Sequence, residues 1–393
     1  MKYFLLAGEA SGDMHGAGLM REIKQYDPQA EFWFLGGDAM AAEGGRMIRH
    51  FREMAFMGFW QVARNAGKIS KNFSVTKRAL LEFQPDTVIL IDYPGFNMKI
   101  SGFVVRELKI PVYYYIVPKV WAWKTYRIKQ LKREMRALLT IFPFETEFFA
   151  RYGATVEYVG NPSVDAINAY LQTDQVAEKE FRSEMHLGES PYLVLLPGSR
   201  KQEIRSCLPE MLKAASKFEN YKLLIAGAPG VETEFYADLL PQLPVPVVTG
   251  QTFRMVRYAA AAVVNSGTAT LETALLHTPQ VVVYSVKGGK FAYWLKNTFL
   301  KTPYISLVNI LMQREVVTEL VAHLMTAGHI EAELRKILFQ PLLRQQMLSS
   351  YAELEQQLGA PGTARRAAGF IYSDLKTSCP EGLKNTKSYD NKQ

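Results

Sequence analysis

Short apolar runs alternate with longer amphipathic stretches twice over in this chain, and that rhythm limits the fold more than any single motif. Tyr3–Ala7, Glu31–Leu35, Thr87–Ile91, Val112–Ile116, Ala137–Phe142 and Val156–Val159 read as strands, with helical periods between them. Runs with few polar positions suit strands buried on both faces, which calls for a parallel sheet covered by helices. From Gly160 to Pro191 the sequence turns polar, with a helical stretch over Gln175–His186, and reads as an inter-domain connection. The rhythm restarts at Tyr192–Leu196, Lys222–Ala226, Pro246–Val248, Ala260–Val264 and Gln280–Tyr284, and Val316–Lys376 reads as mostly helical. The expected fold is α/β: two Rossmann-like doubly wound parallel-sheet domains facing across a cleft, with C-terminal helices. Residues 1–165 form the first domain, completed by helices from about 345–376, and residues 166–344 form the second. The polar tail, 377–393, is expected to be disordered.

The 393 residues suffice for two or three domains, and 48 % hydrophobic content excludes wholesale disorder. Cys207 and Cys379 are too few and too distant for a disulfide framework or a zinc site. The apolar start breaks at Gly8-Glu9 before a signal-peptide core forms, and no run reaches membrane-spanning length, so a soluble or peripheral protein is expected. A net charge of +8 favours an acidic partner: nucleic acid, an anionic bilayer or a phosphorylated small molecule.

The stretch with the most chemistry is Ser266-Gly267-Thr268-Ala269-Thr270-Leu271-Glu272, between an apolar strand and a helix. Its small residues let a ligand approach the backbone, and the helix start offers free N–H groups to an anion. Glu272, one turn in, is placed to accept bonds from a vicinal diol such as a ribose. An ordinary capped helix with Glu272 near its own dipole fits the same residues. Leu195-Leu196-Pro197-Gly198-Ser199-Arg200 has the same strand-to-turn form, with Ser199 at the turn and Arg200 suited to a bidentate diphosphate contact. Asn309 and the Gln313-Arg314-Glu315 group precede another helical run and carry groups able to read a base or sugar.

In the first half, Gly8-Glu9-Ala10-Ser11-Gly12-Asp13-Met14-His15-Gly16 follows the first strand without the dinucleotide G-x-G-x-x-G spacing. Glu9, Asp13 and His15 on this glycine-rich loop suit polar ligand binding; Asp13 also suits capping of the next helix. Asp92 ends an apolar parallel strand, where open α/β sheets place their chemistry and where burial would favour a general base. An Asx turn into Pro94 is the plainer reading of the same aspartate. Phe56, Met57, Phe59, Trp60 and Val62 crowd one short stretch followed by Arg64 and Lys68. Such a run is either core or a membrane-facing patch. Trp121 and Trp123 read as a cleft wall or part of a lipid-facing surface. Arg127, Lys129, Lys132, Arg133 and Arg136 read as the solvated side of a helix, and no nucleic-acid module accompanies them. No D-x-D pair and no His/Cys cluster offers a metal site, so no metal and no cofactor is expected.

Taken together, Gly8-Glu9-Ala10-Ser11-Gly12-Asp13, Val120-Trp121-Ala122-Trp123, Phe142-Pro143-Phe144-Glu145, Leu196-Pro197-Gly198-Ser199-Arg200, Ser266–Glu272 and Asn309-Ile310-Leu311 resemble bacterial lipid-A-disaccharide synthases. The resemblance implies an inverting two-Rossmann (GT-B) glycosyltransferase joining UDP-2,3-diacylglucosamine to 2,3-diacylglucosamine 1-phosphate in lipid A biosynthesis. It implies UDP on Arg200, Ser266, Gly267, Thr268, Glu272 and Asn309, and acceptor chemistry on Asp92 and the Glu9–His15 loop. It further implies a cytoplasmic protein held peripherally on the anionic inner-membrane surface by the Phe56–Val62 run, and a homodimer. Asn161 stands where the family usually has histidine, and Val308 where proline is common. The nearest enzymatic rival is a UDP-N-acetylglucosamine epimerase or hydrolase on the same fold. A non-catalytic RNA- or membrane-binding protein is the rival from another class.

Overall fold

The computed structural model describes residues 1–54, 66–123, 125–240, 245–286 and 303–378. Two compact units emerge: residues 1–162 together with the closing helix, and residues 163–361.

The strands of the first unit are β1 (Lys2–Ala7), β2 (Glu31–Gly36), β3 (Arg46–His50), β4 (Thr87–Ile91), β5 (Val112–Tyr115), β6 (Ala137–Thr140) and β7 (Val156–Tyr158). All pair in parallel, in the order β3-β2-β1-β4-β5-β6-β7. Side chains alternate across the sheet. Phe4, Leu6, Val88, Leu90, Val112 and Tyr114 pack into one core. Tyr3, Leu5, Ile89, Ile91, Tyr113 and Tyr115 pack into the opposite one. Both faces are therefore covered, as the apolar runs require.

The closing helix, Thr363–Ser378, packs along Ala10–Tyr26 and completes the second of these cores with Ala367, Ala368, Ile371 and Leu375. Asp374 ties it to the sheet, accepting bonds from Tyr113 Oη at 2.5 Å and from Arg136 at 2.8 and 2.9 Å. The preceding helix, Pro341–Leu358, belongs to the second unit. Only the final helix returns to the first, so the expected return at about 345 comes later in the chain. Thr377 and Ser378 are helical rather than part of a disordered tail. The remainder of that tail lies outside the described residues.

The second unit holds β8 (Tyr192–Leu196), β9 (Lys222–Gly227), β10 (Val247–Thr249), β11 (Ala261–Asn265), β12 (Gln280–Tyr284) and β13 (Glu319–Val321). They form another all-parallel sheet, ordered β10-β9-β8-β11-β12-β13. Both sheets are doubly wound, and the chain is of the two-Rossmann (GT-B) class. Two edge strands, β3 and β13, escape the sequence reading. Arg46-Met47-Ile48-Arg49-His50 has no apolar run, because an edge strand is bonded on one side and partly solvated. Glu319–Val321 is only three residues long, inside a stretch expected to be helical.

Candidate active site

Each sheet has one place where the winding reverses, between β1 and β4 and between β8 and β11. Open α/β sheets bind ligands outside the strands' carboxyl ends at such a point. In the first unit Ala7 lies opposite Ile91, so Gly8 and Asp92 leave the sheet side by side. In the second, Leu196 lies opposite Val264, which sets the Pro197–Arg200 and Asn265–Thr268 turns next to each other. Sequence-distant candidates thus fall into two groups, one in each unit.

Asp92 and Tyr93 both take left-handed backbone conformations, with φ of 41° and 47°. Non-glycine residues seldom adopt this conformation, and consecutive cases require support from their surroundings. The support comes from the Asp92 carbonyl, which accepts bonds from Asn97 Nδ2 and Tyr114 Oη, both at 2.7 Å. Asn97 is buried and also reaches the carbonyls of Ile91 and Leu6. The backbone is held while the Asp92 carboxylate is left to face a pocket of about 310 Å³, lined also by Ile116, Pro118, Lys119, Arg127 and Phe142. Burial pushes the Asp92 carboxyl above the usual aspartate range, against the opposing pull of Lys119 and a bond from the Tyr93 amide.

Behind the pocket lies a group that sequence reasoning did not single out. Glu145 is fully buried, and burial raises its carboxyl to about 7 despite bonds from Trp121 and the Phe142 amide and the charge of Lys119. Trp121 Nε1 donates to it at 2.8 Å. Lys119 is crowded enough for its pKa to be lowered, while Glu145 and Asp92 draw it back up. In the sequence Glu145 stands out only as the last residue of the Phe142–Glu145 motif, three residues after Phe142, whose amide it accepts at 3.3 Å at the helix start.

Asp13 is a structural carboxylate. It is buried on the helix Ala10–Tyr26 and accepts backbone N–H bonds from Gly37 at 2.6 Å, Ala39 at 3.0 Å and Met40 at 3.1 Å. It caps the start of the helix Asp38–Ala42, not its own, and both its oxygens are engaged. The expected glycine-rich loop shrinks to Gly8-Glu9, since residues 10–16 are already helical. Glu9 precedes that helix, close enough for its charge to add to burial in raising the Tyr93 phenol. His15 lies half-buried in the helix's second turn. Trp121 is 8 % exposed and edge-on to Phe144, which places it in the core rather than on a lipid-facing surface. Phe56, Met57, Phe59, Trp60, Val62 and the side chain of Trp123 lie outside the described residues.

In the second unit Gly198 takes φ 122°, and a Cβ there would meet Glu203 at 2.7 Å. Glu203 accepts the Ser199 amide at 3.1 Å and pairs loosely with Arg200 at 3.4 Å, leaving the guanidinium 63 % exposed. Ser266 Oγ donates to the Ile305 carbonyl at 3.0 Å, fixing the neighbouring turn. Gly267 precedes the helix Thr268–Leu275 and accepts the Thr270 amide at 3.2 Å, while the Thr268 and Ala269 amides have no hydrogen-bond partner among the described residues. Glu272 is half-buried, with no hydrogen-bond partner among the described residues, and burial raises its carboxyl to about 6. Exposed Arg200 and the Thr268 and Ala269 amides therefore follow adjacent strand ends, with the Glu272 carboxylate one turn further into the helix.

Asn309 departs from its expected role. Its Nδ2 donates to Val317 O at 2.8 Å and Glu319 Oε1 at 2.9 Å, and its Oδ1 accepts from the amides of Val316 at 2.8 Å and Val317 at 3.0 Å. A side-chain amide has little capacity beyond this, and in this structure that capacity goes to ordering residues 305–319. Glu319 completes the brace, accepting from Ile305, Ser306 and Asn309. Glu315 is exposed on the loop after this helix. Val308 is fully buried in the helix, and Asn161 Nδ2 donates to Ile141 O at 3.0 Å.

With this geometry in view, the sequence profile described as lipid-A-disaccharide synthetase matches residues 3–365. The chain belongs to that family. It is 35 % identical to the lipid-A-disaccharide synthase of Myxococcus xanthus over 377 residues, covering 94 % of this chain and 96 % of that one. It is equally 35 % identical to that of Syntrophus aciditrophicus over 381 residues, covering 95 % and 98 %. Among solved structures, S. aureus MnaA with UDP gives a TM-score of 0.67 at 11 % identity, covering 96 % of this chain and 98 % of the other. The UDP-GlcNAc 2-epimerase of Neisseria meningitidis gives 0.60 at 14 % identity, covering 96 % and 100 %. At these identities they show the shared fold. Family membership makes the chain a hexosyltransferase of lipid A biosynthesis, condensing UDP-2,3-diacylglucosamine with 2,3-diacylglucosamine 1-phosphate.

Proposed function

We propose that the condensation proceeds by a single inverting displacement with Asp92 as general base. The carboxylate takes the proton from the acceptor's primary hydroxyl, and that oxygen forms a bond to the donor's anomeric carbon. The bond from that carbon to the UDP oxygen breaks, its electron pair leaving with UDP. Arg200 and the amides at Gly267-Thr268 offset the growing diphosphate charge, and Glu272 holds the ribose diol. Glu9 stays near the acceptor as a polar neighbour of Tyr93 and His15 follows it on the same helix, whereas Asp13 acts through the fold. The observation that carries this reading is Asp92 itself: a strained, backbone-clamped aspartate whose carboxyl faces a pocket and is raised by burial.

Both substrates carry acyl chains, and the chain has net charge +8. These two facts support peripheral docking at the anionic cytoplasmic face of the inner membrane, with the Phe56–Val62 run as the apolar contact. Among the described residues no helix is long and apolar enough to cross a membrane. A homodimer is the family expectation. Mass spectrometry of the products from UDP-2,3-diacylglucosamine, with and without the 1-phosphate acceptor, tests the whole reading. Acceptor-dependent UDP release with a disaccharide product supports it. Acceptor-independent release or an epimerised sugar nucleotide replaces it with the epimerase or hydrolase reading.

A further inference from the structure

A second, wider well of about 520 Å³ lies beside the Asp92 pocket in the same unit, and Pro94 and Arg127 line both. Its walls come from the helices Pro94–Phe103 and Ile128–Glu134 and the π-turn Val104–Leu108 between helix and strand. Lys99, Arg106, Arg127 and Arg133 face it, with Glu134 as the one acidic lining residue.

Glu134 does not balance this charge. It is buried, and although burial alone would raise its carboxyl, bonds from Arg133 at 2.6 Å, Gln130 at 2.8 Å and Ser101 at 2.7 Å lower it overall. Glu134 is thereby paired with Arg133. Lys99, Arg106 and Arg127 are left without an ion-pair partner among the described residues. Helical spacing does leave Lys129, Lys132, Arg133 and Arg136 on a solvated face. Beside it, three cations without an ion-pair partner among the described residues line a concavity: Lys99, its Nζ 5.5 Å from the centroid of the Phe73 ring, Arg106 and Arg127. The exposed Tyr126 is also in its wall, an arrangement suited to an anion.

We infer that this well binds a phosphomonoester, and that the phosphate is the one on the acceptor sugar. The inference rests on the acceptor assignment given under Proposed function. The acceptor's reacting primary hydroxyl, on C6, and its anomeric phosphate, on C1, leave from the two carbons that flank the ring oxygen, so both lie on one edge of the hexose. An enzyme that puts the hydroxyl on Asp92 therefore needs a cationic site immediately beside that pocket, and Arg127 lines both wells. Arg106 and Lys99 hold the phosphate in the wider well, while Arg127 fixes which edge of the sugar faces the base. The phosphate thus orients the acceptor as well as adding affinity.

The test compares two acceptors, 2,3-diacylglucosamine 1-phosphate and the same lipid without phosphate, on wild type, Arg106→Gln, Lys99→Gln and Arg106→Lys. Wild type is expected to prefer the phosphorylated acceptor. Arg106→Gln is expected to cut that preference in kcat/KM by about ten- to a hundred-fold, mostly through KM, with partial recovery in Arg106→Lys. Equal losses on both acceptors, or no loss on either, overturn the inference. A second arm measures flotation with phosphatidylglycerol vesicles. If Arg106→Gln abolishes vesicle binding while the acceptor preference stays intact, the well holds a bilayer headgroup and the inference is overturned. A third arm titrates soluble glucosamine 1-phosphate and glucosamine by calorimetry, without turnover. Phosphate-dependent binding lost in Arg106→Gln supports the well even if no disaccharide forms, and its absence in wild type overturns it. Absence of disaccharide from wild type is a failure of the catalytic reading instead.

Discussion

The ring of Tyr93 occupies the space that a side chain at residue 8 would need: a Cβ added to Gly8 would stand 2.2 Å from Tyr93 Cγ and Cδ1. Gly8 follows the first strand and Tyr93 follows the proposed base, so the first turn of the chain sets the position of the second. Tyr93 is held at its far end by a 2.9 Å bond to the Met54 carbonyl and cannot retreat freely. Gly8→Ala is therefore expected to push the Asp92-Tyr93 turn out of place. It should cost about 1–3 kcal/mol of stability and lower kcat by tenfold or more, while UDP binding in the other unit stays unchanged. Chemical denaturation, steady-state kinetics and UDP calorimetry on the same preparation check all three.

Glu272 leads to a pH prediction for nucleotide binding. Its carboxyl is raised to about 6 by burial, and only the ionised form accepts both hydrogens of a ribose diol. Affinity for UDP-N-acetylglucosamine, whose diphosphate diester does not titrate in this range, is expected to rise as the pH passes upward through about 6. Glu272→Gln should bind about tenfold more weakly at neutral pH, with a flat profile. Equal pH dependence in wild type and variant, measured by calorimetry, would detach the diol from Glu272.

Glu145 makes the opposite link between protonation and folding. Its pKa is about 7 in the folded chain against an ordinary 4.5, so the folded state holds its proton over a range where the unfolded state has released it. The contribution of Glu145 is most favourable below about 4.5, declines with rising pH up to about 7, and is constant above that. Glu145→Gln should leave the Trp121 bond in place and remove this decline. The stability difference between variant and wild type should grow in the variant's favour across that window, as read from denaturant titrations at a series of pH values.

Asn309→Ala is expected to act on stability first. It strands the Val316 and Val317 amides and the Val317 carbonyl, and loosens Glu319. A loss of about 2–4 kcal/mol is expected. Any fall in UDP affinity should be restored by conditions that restore folding. A variant with wild-type unfolding and lost UDP binding would return Asn309 to the ligand.

How much of this is visible in the residues depends on how local each cause is. β1, β4, β8 and β11 are five- and six-residue strands rich in apolar positions, buried on both faces, and can be read directly. The same positions make Asp92 and the Ser266 turn legible, because strand ends at a winding reversal are where the fold exposes chemistry. Asp13 and Asn309 mislead, since their partners are 24 or more residues away in one case and on a later loop in the other. A free-looking carboxylate or amide in sequence becomes a brace once the chain closes. Arg127 and Arg133 are legible only in part: helical spacing turns Arg133 to solvent, as the structure has it, but does not show that the neighbouring helix Pro94–Phe103 makes this region one wall of a well.

The most direct measurement is disaccharide formation by Asp92→Asn, with UDP affinity determined on the same protein. Loss of turnover by about 10²–10⁴-fold with UDP binding near wild type is the predicted result. Turnover within a few-fold of wild type would contradict Asp92 as the base, and with it the mechanism built on that turn.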